Sequence, residues 1–198
     1  PGPITRGQVA VGDVVGPNAR DDDFVAGGVN SILVDPQDAN RVLIGTANGG
    51  IWKTTNALSA NPVWTPKTDQ FPTLAITTIV QSPVDATPDN PADNVLYAGT
   101  GNASSSGIDG SASGLLKSID GGEHWSRIGQ SVFQGLSIQS IVPTTANGGN
   151  VILAATNSFT AGDAAKRVPA KGGIYRSEDG GITWKRISGG VWLPDGGV

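Results

Sequence analysis

Apolar and polar positions recur three times along the chain in the same order, and each recurrence predicts four short β-strands. The first strand of each copy is apolar and ends near a proline, and the second is a nearly continuous apolar run that reads as buried on both faces. The third passes from apolar residues to one basic and one hydroxyl residue, and the fourth starts at a tryptophan. The predicted strands are 29–36, 42–46, 50–54 and onward from Trp64; 76–83, 95–100, 114–118 and onward from Trp125; and 138–143, 151–156, 173–177 and onward from Trp184.

Four strands in one meander leave an open edge and an uncovered face, and radial repetition of four-stranded blades solves both problems. The pattern therefore predicts an all-β fold, a β-propeller segment of about three four-stranded antiparallel blades. The predicted divisions are a lead-in segment 1–27, blade 1 at 28–73, blade 2 at 74–135, blade 3 at 136–190 and the start of further structure at 191–198. Because propellers typically carry about four to eight blades, we expect the others from the same longer chain or from other subunits.

Composition narrows the classes of partner and site. The 198 residues include 29 Gly and 13 Pro, which supply the turns that many short strands need. A net charge of -4 with scattered basic residues argues against nucleic acid, and no apolar run is long enough to predict a transmembrane segment. Zero Cys excludes disulfides and thiolate metal sites, and zero Met with Pro1 at the start favours excision from a longer chain.

The turns between the third and fourth strands carry a repeated polar motif. Its residues are Ser118, Asp120, Gly122 and Trp125 in the second copy, and Ser177, Asp179, Gly181 and Trp184 in the third. In the first copy Thr54 and Asn56 take the Ser and Asp places, and extra residues before Trp64 predict a longer tip. An aspartate followed by two glycines accepts turn amide hydrogens while the glycines adopt positive φ, so a structural role is predicted for these residues.

This motif resembles the Asp-box, or BNR repeat, with the pattern S/T-x-D-x-G-x-T-W. The chain thus resembles the superfamily of Asp-box β-propellers, which includes sialidases, xyloglucan-type glycoside hydrolases, sortilin-like receptor domains and photosystem-assembly propellers. The resemblance implies a propeller whose Asp-box turns lie on the face away from the usual binding site. Function varies widely on this fold, so the resemblance does not select one.

A hydrolase needs a pair of carboxylates across the scissile bond, and the chain lacks the expected one. In xyloglucan-type hydrolases the first-blade turn resembles Arg-Thr-Asp-Ile-Gly-Gly with a catalytic aspartate, and the matching stretch 45–50 has Ala47 at that place. The neighbouring Asn48 cannot replace a carboxylic acid as proton donor. Arg20 and Arg41 lie outside any sialidase-type motif. We predict no catalytic residue in this chain, with a hydrolase fragment whose catalytic residues lie elsewhere as the alternative.

Metal and histidine chemistry have little support in the sequence. His124 is the only histidine, stands where the motif usually has Thr, and is predicted to pack on the turn. The acidic run Asp21, Asp22 and Asp23 offers oxygen ligands for Ca²⁺, but it lacks the alternating spacing of a calcium loop. A solvated turn is the favoured interpretation, so no cofactor is predicted and Ca²⁺ stays an alternative.

The connections between second and third strands differ strongly in length and open on the face where propellers usually bind ligands. The long ones, 101–113 and 157–172, contain the candidate binding residues Asn102, Asp109, Phe159, Lys166 and Arg167, and Asn102 begins a glycosylation sequon. Long loops on a rigid scaffold tend to carry function, although tolerated decoration is the alternative. The predicted function is a noncatalytic scaffold for protein or glycan contacts in an extracytoplasmic or cell-surface protein. The further alternative is a structural or assembly subunit of a larger complex.

Overall fold

The computed structural model describes residues 28–84, 90, 94–101, 112–157 and 172–188, and these form three four-stranded antiparallel sheets. We name the sheets blade 1, blade 2 and blade 3. Their strands are β1 Val29–Val34, β2 Val42–Thr46, β3 Ile51–Thr54 and β4 Thr65–Pro66; β5 Ile76–Gln81, β6 Leu96–Thr100, β7 Leu115–Ser118 and β8 Ser126–Ile128; and β9 Ser137–Pro143, β10 Ile152–Asn157, β11 Gly173–Ser177 and β12 Lys185–Arg186. The predicted all-β fold of three blades is confirmed.

Each blade is a meander with the same register. The pairs Ile32 with Ile44, Ile79 with Ala98, and Ile141 with Ala154 occupy equivalent places between the first and second strands. The register shifts at one equivalent place in every blade, so that Asn30, Thr77 and Gln139 lie at a β-bulge. A bulge redirects a side chain away from its own sheet, and here it repeats with the blades.

Neighbouring blades stack face to face, with β1, β5 and β9 in contact one after another. We call the face of a blade that points toward the next blade in the chain its front face, and the opposite one its rear face. The core between blades 1 and 2 contains Leu43, Ile51, Ile76, Ile79, Leu96, Ala98, Leu116 and Trp125. The core between blades 2 and 3 contains Tyr97, Leu115, Phe133, Leu136, Ile138, Ile141, Ile152, Ala154 and Tyr175.

Glycines on the front faces allow this close stacking. A Cβ placed on Gly45 would lie 2.5 Å from Cγ2 of Ile76, and one on Gly99 would lie 2.9 Å from Cγ2 of Ile138. Side chains from the bulges then join the blades, because the Asn30 amide donates to the Ile76 carbonyl at 2.9 Å and the Thr77 hydroxyl donates to the Ile138 carbonyl. Both junctions therefore use a glycine and a bulge side chain at equivalent places.

A short helix that the strand pattern does not include fastens blade 2 to blade 3. Helix α1, Gln130–Phe133, follows β8 and buries Phe133 completely. The Phe133 ring meets Tyr175 and Trp184 edge to face, with centroids 5.1 and 5.0 Å apart. Such pairs add about 0.5–1.5 kcal/mol beyond area burial, which makes this connection part of the core. No helix in the described ranges is long and apolar enough to cross a bilayer.

The prediction that every second strand is buried on both faces is wrong for β10 and, at Ile44, for β2. All of β6 is buried, whereas Leu153 and Ala155 of β10 are partly exposed. Both residues lie on the front face of blade 3, and nothing in the described part of the chain covers that face. The apolar pattern alone could not show this difference, because exposure depends on the neighbouring blade.

Candidate functional site

Three hairpin turns mark one edge of the blades, which we call the hairpin edge. The first hairpin turn is 54–64, the second 118–125 and the third 177–184. In the second, the Ser118 hydroxyl donates to Asp120 Oδ1 at 2.8 Å and accepts the Gly122 amide at 2.9 Å. Asp120 Oδ1 also accepts the His124 amide at 2.9 Å. These bonds close the turn from inside, so both polar side chains serve as backbone partners.

The third hairpin turn repeats this geometry. The Ser177 hydroxyl donates to Asp179 Oδ1 at 2.8 Å and accepts the Gly181 amide at 2.8 Å. The Thr183 hydroxyl donates to Asp179 Oδ2 at 2.5 Å. In the second turn His124 takes that place, with Nδ1 lying 2.7 Å from Asp120 Oδ2. His124 is thus exposed and hydrogen-bonded, where the sequence predicted that it packs on the turn.

The first hairpin turn uses an amide in place of the carboxylate. The Thr54 hydroxyl donates to Asn56 Oδ1 at 2.8 Å, and Asn56 Oδ1 accepts the Val63 amide at 2.9 Å. The oxygen therefore receives the same backbone donor across a longer tip, and Trp64 follows immediately before β4. An acceptor oxygen at this place, rather than a negative charge, is what all three turns share.

Hydrogen bonding keeps both turn aspartates ionised. At Asp120 burial opposes the charged form, but the bonds from His124 and Ser118 outweigh it and lower the pKa from 3.8 to about 2. At Asp179 the bonds from Thr183 and Ser177 lower the pKa from 3.8 to about 2. A carboxyl group with such a pKa holds no proton near neutral pH, so neither residue can serve as a general acid there.

The tryptophans of the second and third turns close their hairpins. The indole of Trp125 donates to the Gly122 carbonyl at 3.2 Å, and that of Trp184 donates to the Gly181 carbonyl at 3.0 Å. A Cβ on Gly122 would lie 2.6 Å from Leu43 of blade 1, so this glycine also seats the turn against the preceding blade. The motif glycine thus has two duties, positive φ in the turn and close contact across the junction.

A lysine ladder, which the sequence did not predict, connects the blades at this edge. Lys53 Nζ donates to the Gly121 carbonyl at 2.8 Å, and Lys117 Nζ donates to the Gly180 carbonyl at 3.1 Å. Glu123 bridges Lys53 at 2.7 Å and Lys67 at 2.6 Å, and these two lysines lower the pKa of Glu123. The signal was present in the sequence, since the next-to-last residue of the third strand is basic in every copy.

An asparagine that repeats in the three blades was also not predicted from the sequence. Asn40, Asn94 and Asn150 each stand two residues before the second strand of their blade. Their carbonyls accept an amide from their own hairpin turn, from Ala57, Gly121 and Gly180 at 3.0 Å in each case. Aligning the three copies by strand position rather than by the turn motif would have found it.

A cavity of about 210 Å³, lined by leucines as well as by charged side chains, lies at the hairpin edge between blades 1 and 2. Its walls include the Asp35–Arg41 pair at 3.6 Å, Lys53, Glu123 and the buried Asn94. The charged side chains here pair with one another, so the cavity offers little net charge to a ligand. Among the described residues no cluster of three or more His, Cys, Asp or Glu is arranged to hold a metal ion.

The opposite edge, which we call the loop edge, carries the connections between second and third strands. A threonine closes the base of each one: Thr46, Thr100 and Thr156 donate from their hydroxyls to the carbonyls of Gly50, Gly114 and Gly173 at 3.0, 2.6 and 3.1 Å. The same hydroxyls accept amides from Gly49, Ser113 and Gly173 at 2.8, 2.9 and 3.1 Å. We call this the threonine clamp: in every blade the hydroxyl donates to the carbonyl of the equivalent glycine, and the amide it accepts comes from the residue before that glycine in blades 1 and 2 and from Gly173 itself in blade 3.

Ala47 lies in the short connection of blade 1, and bonds to Gly28 and from Trp52 hold that turn closed. The Trp52 indole donates to the Gly49 carbonyl at 2.7 Å, and the Ala47 amide donates to the Gly28 carbonyl at 2.9 Å. Ala47, which the sequence resemblance set against the catalytic aspartate of xyloglucan-type hydrolases, therefore places a methyl group in a closed turn. Asn102, Asp109, Phe159, Lys166, Arg167 and the run Asp21, Asp22 and Asp23 lie outside the described residues.

No protein-family model and no curated protein matches the chain. Among solved structures it is similar to an ancestral GH74 enzyme, with a TM-score of 0.53 and 21% identity over 80% of this chain and 18% of that one. It is also similar to YCF48 from Cyanidioschyzon merolae, with a TM-score of 0.48 and 20% identity over 82% of this chain and 37% of that one. The chain spans less than a fifth of the first protein and little more than a third of the second. At such low identity the likeness to the GH74 enzyme shows the fold alone, and that fold is a β-propeller.

Proposed function

We propose that this chain is a noncatalytic propeller scaffold that presents ligand-binding loops at its loop edge to a protein or glycan. The three hairpin turns are Asp-boxes that hold the blades together and take no part in binding. The setting we propose is an extracytoplasmic or cell-surface protein. The observation that carries the noncatalytic assignment is where the described carboxylates lie.

Six of the seven described carboxylates lie at the hairpin edge, in turns and ion pairs: Asp35, Asp38, Asp120, Glu123, Glu178 and Asp179. Asp69 lies toward the loop edge, next to Thr68, whose hydroxyl accepts the Ile51 amide at 2.8 Å. Glycoside hydrolysis usually needs two carboxyl groups on either side of one bond. The described residues bring no such pair to the loop edge, which favours binding without turnover.

The threonine clamp supports the choice of the loop edge for binding. Connections of very different length start from the same hydrogen-bonded base at Thr46, Thr100 and Thr156. A loop on a fixed base varies in sequence and length without disturbing the blade beneath it. The hairpin turns have less of this freedom, because their polar side chains bind the backbone of the turn and because the second and third turns also contact the preceding blade.

The test is loop replacement in the full-length protein. We would replace 102–110 and, separately, 159–170 with Gly-Ser segments of equal length, and leave the clamp residues intact. The probes are xyloglucan oligosaccharides and sialyllactose by calorimetry, and affinity capture from the source material for protein partners. We expect at least one binding activity of the parent to weaken about tenfold or more in a loop variant, with no release of reducing sugar. Binding that survives both replacements would contradict the assignment.

The second candidate is a fragment of a glycoside hydrolase, which the fold likeness to a GH74 enzyme favours. On this alternative the catalytic pair lies elsewhere in a longer protein. Release of reducing ends from xyloglucan by the longer protein would support it, and Asp69→Asn tests whether this chain contributes. A structural or assembly subunit is the third candidate, and its sign would be copurification with a larger complex.

A further inference from the structure

Each blade has an isoleucine at the same place on its rear face, which is buried in blades 2 and 3 and exposed in blade 1. Ile79 of blade 2 and Ile141 of blade 3 are 4% and 3% exposed, because each packs against the front face of the preceding blade. Ile32 is the equivalent residue of blade 1 by register, and it is 66% exposed. Val34 beside it is also exposed. Val42 of the same face is buried, so within the described residues the rear face of blade 1 is uncovered at Ile32 and Val34.

The front face of blade 3 shows the complementary difference. Ile51 and Leu115 are completely buried on the front faces of blades 1 and 2, whereas the equivalent Ile174 is 36% exposed. Val142 and Ile187 of the same face are also exposed. Their counterparts in blades 1 and 2 lie against the next blade, as Leu33 and Ile128 do. The described chain thus carries one half of a blade junction at each end.

The two halves match in volume at the point of closest approach. At the two junctions already formed, Gly45 faces Ile76 and Gly99 faces Ile138. The equivalent front residue of blade 3 is Ala155, and the equivalent rear residue of blade 1 is Val29. The side-chain carbon gained from Gly to Ala equals the carbon lost from Ile to Val. Volume-conserving exchanges are the ones that packed interfaces tolerate best.

The two halves also match in polar groups. Lys53 and Lys117 donate to the carbonyls of Gly121 and Gly180 in the next blade, and Arg176 holds the equivalent place on blade 3. Arg176 pairs with Glu178 of its own turn at 2.8 Å. The carbonyl equivalent to those of Gly121 and Gly180 belongs to Ala57 of blade 1, because all three residues donate their amides to the repeated asparagine. The Arg176 guanidinium therefore lies on one half of the junction, and the acceptor carbonyl of Ala57 lies on the other.

We propose that a second copy of this chain binds head to tail, so that the rear face of blade 1 of each copy covers the front face of blade 3 of the other. The three described blades from each of two copies would form a ring of six, which is within the usual range of about four to eight. The two joints are identical and related by a two-fold axis, so the assembly ends at a dimer. The assembly does not depend on what the loop edge binds.

Native mass spectrometry and sedimentation of the 198-residue chain test this assembly. We expect a dimer of twice 20.1 kDa that dissociates on dilution. Ile32→Lys and Ile174→Glu each place a charge on one half of the joint, and each variant alone should be monomeric with an unchanged circular dichroism spectrum. The matched control is Ile182→Lys, which alters an exposed isoleucine at the hairpin edge and should leave the dimer intact.

Mixing the two variants makes the test sharper. In a mixed ring one joint is native and the other pairs Lys with Glu, whereas either homodimer would carry two damaged joints. We expect the mixture to recover a dimer that neither variant forms. A parent chain that stays monomeric at high micromolar concentration, or a dimer indifferent to both substitutions, would overturn the proposal. A melting temperature of Ile32→Lys below that of the parent, at a dilution where both are monomeric, would also overturn it, because a segment of the same chain would then cover that face.

Discussion

Asp120 and Asn56 do the same work in two hairpin turns although only one of them is charged. Each side-chain oxygen accepts a backbone amide at 2.9 Å, from His124 and from Val63. The shared requirement is an acceptor at that point, and the charge only strengthens the bond. The motif therefore tolerates the amide that the first turn contains.

Removing the acceptor at Asp120 should matter more than removing its charge. We expect Asp120→Ala to lower the free energy of unfolding by about 1–2 kcal/mol, because the His124 amide and the Ser118 hydroxyl lose their partner. Asp120→Asn should cost clearly less, since it keeps Oδ1 as Asn56 does. Urea unfolding followed by tryptophan fluorescence measures both, with the exposed Asp69→Ala as control. Equal losses for the Ala and Asn variants would contradict the acceptor role.

The lowered pKa values of the turn aspartates predict acid sensitivity. Asp120 and Asp179 titrate near 2 when folded and near 3.8 when unfolded, so the unfolded chain binds more protons between these values. Their contribution is complete above about pH 5 and is lost as the pH falls toward 2. We expect the urea midpoint to decline over this window and the Asp120→Asn, Asp179→Asn double variant to decline less steeply. Parallel curves for parent and double variant would contradict this prediction.

At the scale of elements, the two blade junctions share a backbone plan and differ in their side chains. At the hairpin edge Glu123 and Lys67 form an ion pair between blades 1 and 2, where the equivalent residues at the second junction are Ile182 and Ile128. Exposed pairs of this kind stabilise by only about 0–1 kcal/mol. The front-face glycines and the bulge hydrogen bonds, which both junctions share, therefore define the junction.

Gly99 gives the most direct test of close stacking. A Cβ there would lie 2.8 Å from the Thr77 hydroxyl and 2.9 Å from Ile138, so we expect Gly99→Ala to cost about 1–3 kcal/mol. Gly28→Ala is the control, because its Cβ would meet only Ala47 at 3.7 Å, and its change should stay within about 0.5 kcal/mol. Thermal melting of both variants measures the difference. A neutral Gly99→Ala would mean that the blades are not held this closely.

The strands and turns of the blades were largely predictable from the sequence, because periodic apolar runs and Gly-containing turns are local signals. The strand positions around Trp125 and Trp184 follow from them. The sequence did not predict the bulges at Asn30 and Thr77, because a bulge changes the strand pairing without changing the apolar alternation. It did not predict the lysine ladder either, because the partner of a lysine is defined only when the blades are stacked. Helix α1 is too short to have a period that the sequence could reveal.

At the scale of the whole molecule, blade 2 differs from the others because it has a neighbour on each face. Its second strand, β6, is buried from end to end, while Ile32 of blade 1 and Ile174 of blade 3 are exposed at equivalent places. The repeat predicted three blades, but equal sequence patterns could not show which faces are covered. A ligand for the proposed binding loops is not predictable either, because Asn102, Asp109 and Phe159 lie in connections that no repeat constrains.

The stacked order of the blades is the central claim, and amide hydrogen exchange of the 198-residue chain tests it most directly. The measurement uses a dilution at which the chain is monomeric, with peptides that separate β1, β6 and β11. We predict that β6 is the slowest to exchange and that β1 and β11 are faster, because local opening is easier where one face of a blade is uncovered. Protection of β1 and β11 equal to that of β6 in the monomer would contradict the stacked array.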